Sequence, residues 1–277
     1  MKVKVVTDST SDLPPDVATS LDITVVPAQV QFGDRVYQDG IDLSTDDFYR
    51  MLRTSPALPK TSPPAVGTFR NVYRRLADEA DSIVSIHVSD DLSATFDAAR
   101  IASADLQCPV SLVDSQSASM ACGLLAIMAA KAARLGVSLA EIEAMLRQAI
   151  PHTITYGVFG TLEYLARGGR IGRAQAFLGS VLKINPILAI RAGAVVPVER
   201  VRTRARAVDR MCEIVRSLGV PREMSVMRTT NPEEAEDLAR RLASIFPPER
   251  MYRASIGPAM GSQVGPDALG VAVSWEG

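Results

Sequence analysis

The chain has 277 residues, 47% of them hydrophobic and 22% charged, which is apolar material for more than one core and, at roughly 100–200 residues per domain, a length that points to two domains. A formal net charge of −1 argues against general nucleic-acid binding, which normally shows a basic domain or stripe. The three cysteines Cys108, Cys122 and Cys212 are too scattered for a disulfide framework or a CxxC site.

The two histidines, His87 and His152, argue against a histidine metal cluster. The longest apolar helical stretch, residues 123–133, is broken by Lys131 and too short to span a bilayer. A soluble, cytoplasmic protein without targeting or anchoring segments is the expectation.

Residues 2–6 read as a β-branched strand that runs into Thr7-Asp8-Ser9-Thr10-Ser11-Asp12. A short helix over 15–20 precedes one strand over 23–32, a Gly33-Asp34 turn and Val36-Tyr37. Ser44 and its neighbours cap a helix through Phe48, Met51 and Leu52. Residues 56–64 form a proline-rich loop containing Lys60-Thr61-Ser62-Pro63. Its prolines either hold the Thr61 and Ser62 hydroxyls in a defined direction or make a plain rigid linker.

After a helix over 67–80, the apolar run 83–88, in which His87 reads as structural, ends in Ser89-Asp90-Asp91-Leu92-Ser93-Ala94-Thr95. This strand-to-helix turn has two open readings. Ser93 or a neighbouring Asp caps the helix, or the turn offers hydroxyls and free N–H groups to an anion at a helix N-terminus. A strand over 110–113 ends likewise in Asp114-Ser115-Gln116-Ser117-Ala118-Ser119. Three strand ends thus lead into hydroxyl-rich turns, and in an open parallel sheet such ends share the edge where ligands bind.

An Ala- and Met-rich helix over 119–135 and an amphipathic one over 139–150 complete the first half, and Pro151 marks a boundary. Next come a strand over 156–159, a short helix over 162–166, Arg167-Gly168-Gly169-Arg170-Ile171-Gly172-Arg173 and a helix to Lys183. A hairpin over 186–201 turns at Ala192-Gly193 and predicts a mixed sheet. Helices over 205–218 and 232–245, strands over 224–227, 252–256 and 269–275, and a Gly/Pro loop over 257–266 finish the chain.

The expected class is α/β with two domains. Residues 1–150 form an open parallel sheet with helices on both faces and hold a carboxylate head-group site. Residues 151–277 form a mixed-sheet α/β domain.

The motifs of phosphate loops, dinucleotide folds, nucleophile elbows and zinc proteases are absent from the sequence. What remains is hydroxyl and amide chemistry beside apolar surface, suited to an amphiphile with a carboxylate head and requiring no catalytic residue. An alternative is an enzyme acting on a small carboxylated or phosphorylated substrate, with Asp8 or Asp114 as base. A third reading is a DNA-associated protein using Arg200, Arg202, Arg204 and Arg206.

Taken together, Thr7 to Pro14, Lys60-Thr61-Ser62-Pro63, Leu92-Ser93-Ala94-Thr95-Phe96, Asp114-Ser115, Ser117 to Met120, Leu162 to Leu165, Gly168-Gly169-Arg170-Ile171, Asn185 to Leu188 and Gly261 to Pro266 resemble the DegV family. These are bacterial fatty-acid-binding proteins that present an acyl chain to a separate fatty-acid kinase in phospholipid metabolism. The resemblance implies that Thr61, Ser62 and Ser93 bind the fatty-acid carboxylate, together with Gln263 where the family commonly has His. It also implies that residues 151–277 contribute an apolar acyl-chain tunnel near the domain junction and a basic surface including Arg170, with Arg173 and Arg202, that docks the kinase. The ligand would be a long-chain fatty acid, with no other cofactor and no metal, and its delivery allows transient contact with a membrane surface. This chain departs from the family pattern at Pro63, where Gln is usual, and at Gln263.

Overall fold

The computed structural model describes residues 2–55, 57–177 and 184–276. In the first half these form β1 (Val3–Asp8), α1 (Pro15–Leu21), β2 (Ile23–Val26), β3 (Gln29–Phe32), β4 (Arg35–Gln38), α2 (Thr45–Thr54), β5 (Lys60–Ser62), α3 (Val66–Ala77), β6 (Ser82–His87), α4 (Thr95–Ser103), β7 (Val110–Asp114), α5 (Met120–Arg134) and α6 (Leu139–Ala149). The second half comprises β8 (Thr153–Val158), α7 (Glu163–Arg167), β9 (Asn185–Arg191), β10 (Ala194–Val201), α8 (Arg204–Arg216), β11 (Pro221–Arg228), α9 (Pro232–Leu242), β12 (Tyr252–Ser255), α10 (Pro258–Val264) and β13 (Leu269–Trp275).

The expected parallel sheet is present, in the order β2-β1-β6-β7. All six residues of β1 and of β6 are buried, as strands covered on both faces must be. Val3, Val5, Val84 and Ile86 pack towards α1, α5 and α6, whereas Val6 and Ile83 pack with Phe69, Tyr73 and Leu76 of α3 and Ala98, Ala99 and Ala102 of α4.

The mixed sheet of the second half runs β10-β9-β8-β13-β11-β12, parallel only between β11 and β12. One face buries Tyr156, Val226 and Val271 against α8 and α9. The other turns towards α5, whose residues from Met120 to Ile127 are all buried because both sheets close on it.

Four expectations change. The single strand over 23–32 is two, β2 and β3, in different sheets. Pro27 between them has no N–H for a ladder, and the chain leaves the parallel sheet there. Thr61 and Ser62 lie not in a loop but on β5, which pairs antiparallel with β3 in a small sheet β4-β3-β5. The Gly/Pro segment over 257–266 contains helix α10: Pro258 takes the first helical position, where a missing N–H costs nothing, and Gly265 ends the helix at φ +73°. Gly261 lets α10 approach the small sheet's helix, since a Cβ there would stand 2.6 Å from both Phe48 Cε1 and Tyr49 Oη. The helix expected to reach Lys183 begins as a 3₁₀ segment, Gly172–Phe177, and residues 178–183 lie outside the described residues.

Candidate functional site: an apolar cleft with a hydroxyl-rich mouth

The three hydroxyl-rich turns meet at the C-terminal edge of the parallel sheet. Ser89 N–H donates to Ser117 O (2.8 Å) and Ser119 N–H to Thr10 O (2.9 Å), so each turn is tied to another. The β9–β10 hairpin reaches this edge from the other sheet: Ala192 and Gly193 both have positive φ, and Gly193 N–H donates to Gln116 O (2.9 Å). That left-handed pair is the tight turn a two-residue hairpin needs.

Beneath this junction lies a cleft with about 1230 Å³ of atom-free space, its mouth included. Thr61, Ser62, Ser93, Thr95, Arg170 and Gln263 all line it, and its remaining walls are mostly apolar, among them Leu92, Phe159, Leu165, Leu188, Ile190 and Val264. Thr61 comes from β5, Ser93 from the turn before α4 and Gln263 from α10, so no two of these share an element.

Gln263 Nε2 donates to Thr61 Oγ1 at 3.0 Å, while Gln263 Oε1 is buried without a partner. A half-turn of an amide exchanges its two ends; the Thr61 hydroxyl then donates to Oε1 and the NH₂ group occupies the unpartnered position. Ser93 Oγ lies 2.8 Å from Thr95 Oγ1. The capping reading fails here: Ala94 is the N-cap residue of α4 and no side chain accepts a bond from the first-turn N–H groups. Ser93 is therefore not spent on the helix.

Arg170 belongs to this mouth and not only to an outer surface. Its Nε donates to Leu92 O (3.1 Å) and Nη1 to Gly168 O (2.7 Å), bracing the Ser93 turn from the second half of the chain. Arg173 and Arg202 are exposed and do not line the cleft. The arginine alternation does not make one stripe. Arg204 starts α8 and pairs with Glu234 at 2.7 Å, Arg206 pairs with Glu213 at 3.2 Å, and Arg200 lies over the Phe177 ring.

The carboxylates considered as bases are poorly placed for proton abstraction. Asp8 is fully buried, with Oδ2 accepting from His87 Nδ1 (2.9 Å) and Val88 N–H (3.2 Å) and Oδ1 from Thr10 N–H (3.0 Å). Burial opposes its ionisation, yet the bond and charge of His87, with help from Thr10 and Val88, hold its carboxyl below the usual range. His87 Nε2 continues to Ser85 Oγ (2.7 Å) and thence to Tyr73 Oη (2.8 Å), a closed buried chain. Asp114 is pushed up by burial, accepts from Gln116 N–H at 2.8 Å and does not line the cleft.

Two carboxylates that the sequence did not single out hold the helix carrying Gln263. Asp12 Oδ1 accepts from Gly257 N–H (2.8 Å), and Asp39 Oδ2 accepts from Ala259 N–H (3.3 Å) and Ser9 Oγ (2.8 Å). Burial raises both, Asp39 to about 6. Met227 was missed as a lining residue as well, and nothing local in the sequence marks it, because it reaches the cleft only through sheet order.

Two large sheets closed on a shared helix, with a mostly apolar cleft that also carries hydroxyl, amide and guanidinium groups, define a class of α/β proteins with an internal amphipathic cleft. The family model described as "Uncharacterised protein, DegV family" matches residues 2–276, and the chain belongs to the DegV family. It is 38% identical over 276 residues to a DegV domain-containing protein of Streptomyces coelicolor and 33% identical to protein DegV of Bacillus subtilis, with 98% of each chain covered in both cases. Among solved structures, a fatty-acid-binding DegV family protein from Thermus thermophilus superposes with a TM-score of 0.93 at 31% identity, over 100% of both chains. DegV of Bacillus subtilis, described as a fatty acid binding protein, superposes at 0.90 and 32%, again over 100% of both. Among the described residues no helix is long and apolar enough to cross a membrane.

Proposed function

We propose that this protein binds a long-chain fatty acid, with the carboxylate at Thr61, Ser62, Ser93 and Gln263 and the acyl chain in the apolar cleft. The observation that carries this reading is the lining of the cleft, in which the hydroxyl, amide and guanidinium groups of Thr61, Ser62, Ser93, Gln263 and Arg170 stand beside walls that are mostly apolar. Neutral donors stabilise a carboxylate without a buried counter-charge, and Arg170 adds positive charge at the rim. The tail supplies the driving force: at roughly 0.8 kcal/mol per buried methylene, about fourteen methylenes give a gross 11 kcal/mol or so before ordering costs.

A carrier of this kind leaves the chemistry to others. The head group at an open mouth favours presentation to a fatty-acid kinase that forms an acyl phosphate, with Arg170, Arg173 and Arg202 as the basic contacts and with loading at a membrane surface in the cytoplasm. Residues 1–150 then carry the head-group site, and residues 151–277 most of the tunnel and the docking surface. The fully engaged Asp8 speaks against the alternative of a small-molecule enzyme at the same edge.

Native mass spectrometry of the purified protein tests the binding step. A co-purified acyl chain is expected, and it should be lost from the Thr61→Ala, Ser93→Ala double variant. Undiminished retention by a folded double variant would refute the head-group assignment. Acyl-phosphate formation only when a fatty-acid kinase is added tests presentation, and turnover by the protein alone would refute the carrier role.

A further inference from the structure

The mixed sheet carries one row of directly paired residues along the floor of the cleft. Leu188 of β9 pairs with Gly157 of β8, Gly157 with Gly270 of β13, and Gly270 with Met227 of β11. All four line the cleft. Directly paired residues share a face, and this is the face turned towards α5, since Met227 packs with the α5 core while its chain neighbour Val226 packs with α8 and α9. Two adjacent glycines therefore lower the sheet between a Leu at one side and a Met at the other, and the Phe159 ring stands over the first of them, where a Cβ on Gly157 would meet its Cζ at 2.7 Å.

The trough starts at Leu188 of the β9–β10 hairpin, whose Gly193 N–H donates to Gln116 O and whose tip stands against Ser89 and Asp91 of the turn bearing Ser93. Three inter-strand steps of about 4.8 Å place Met227 about 14 Å further across the sheet. Beyond Met227 the row continues to Ala254 of β12, and Ala254 does not line the cleft. Along this row the lining of the cleft therefore stops at the Met227 side chain, and further lining beyond it comes from Ile256, Ala259 and Met260.

That side chain is held in the trough. A Cβ on Gly270 would meet Met227 Cε at 2.8 Å, so the methyl group lies directly over the glycine. Its Sδ lies 3.2 Å from Ser119 Oγ, and Ser119 is itself fixed by Asp12 and by the Thr10 carbonyl. Met227 is 1% exposed.

We propose that Met227 is the end wall of the acyl tunnel and sets the longest chain the protein accepts, an inference that rests on the fatty-acid reading above. Close-packed interiors exchange volume nearly atom for atom. Replacing Met227 by Ala removes the linear Cγ–Sδ–Cε segment and opens the trough by about three methylenes. Met227→Phe places a stiff ring over Gly270 and shortens it.

The test loads wild type, Met227→Ala, Met227→Phe and Val226→Ala with an equimolar series of saturated fatty acids of stepped length. Native mass spectrometry reads the retained lengths, and circular dichroism melts confirm folding. The expected result is a shift of the preferred length upward by about three carbons in Met227→Ala, a downward shift in Met227→Phe, and none in Val226→Ala, whose side chain points to the other face. A distribution unchanged in either folded Met227 variant, or moved equally by Val226→Ala, overturns the inference while leaving fatty-acid binding intact. Failure of wild type to retain any fatty acid overturns the proposed function itself, and this inference with it.

Discussion

Replacing Asp39 by Asn should remove a measurable part of the protein's pH-dependent stability. Asp39 is 5% exposed, faces Asp8, Asp12 and Tyr49, and accepts from Ser9 and from the first turn of α10. Burial, only partly offset by those two hydrogen bonds, raises its carboxyl from 3.8 to about 6. That shift corresponds to about 3 kcal/mol at 1.36 kcal/mol per unit. Because the folded-state value lies above the unfolded one, the native state holds the proton more tightly. The contribution is complete below about pH 4 and is lost as pH rises through about 6. The raised carboxyl of Asp12 acts in the same sense, whereas the depressed carboxyl of Asp8 costs stability only in stronger acid. Asn keeps an acceptor for Ala259 N–H and cannot ionise. Urea unfolding at pH 5 and pH 8 should show wild type losing more stability on going to pH 8 than Asp39→Asn does. At pH 8 the variant should be the more stable by up to about 3 kcal/mol. Equal pH slopes for the two proteins would refute the assignment of this titration to Asp39.

Gly168→Ala fits the backbone, whose φ is −71°, but its Cβ would fall 2.1 Å from Gln263 Oε1. The amide must swing away from Thr61; calorimetry should show fatty-acid affinity down by about tenfold, the worth of one hydrogen bond, with stability changed by less than about 1 kcal/mol. Gln263→His puts a titratable donor at the mouth, and fatty-acid affinity should rise more steeply than in wild type as pH falls through about 6.5. His87→Ala strips a buried carboxylate of its partner, and urea denaturation should register a loss of about 3–5 kcal/mol.

Much of the scaffold was legible in the chain. The β-branched stretch at β1 and the apolar run at β6 announced two strands of the parallel sheet, and both are present and buried throughout. The hydroxyl-rich strand ends announced a shared binding edge, and Ser89, Ser117, Ser119 and Thr10 are bonded there. Ser44 caps its helix through a side-chain bond from Asp47 N–H, a local chemistry that a sequence states directly.

The errors lie where a distant contact outweighed a local preference. Glycine and proline in residues 257–266 are loop formers, yet α10 forms because Asp12 and Asp39, more than 200 residues away in the chain, accept its leading N–H groups. Thr61 is extended because β3 offers it a ladder, and Arg170 faces the mouth because Leu92 O accepts its Nε.

The sequence by itself determined most of the element types, the parallel edge and the hydroxyl and amide chemistry of the candidate site residues, because periodicity and turn chemistry act over a few residues. Only the tertiary structure decided that Thr61, Ser93 and Gln263, from three separate elements, converge on one cleft. It alone aligned Leu188, Gly157, Gly270 and Met227 into the floor of that cleft. Sheet order and register bring together residues that no spacing along the chain relates, and the shape of the cavity follows from them.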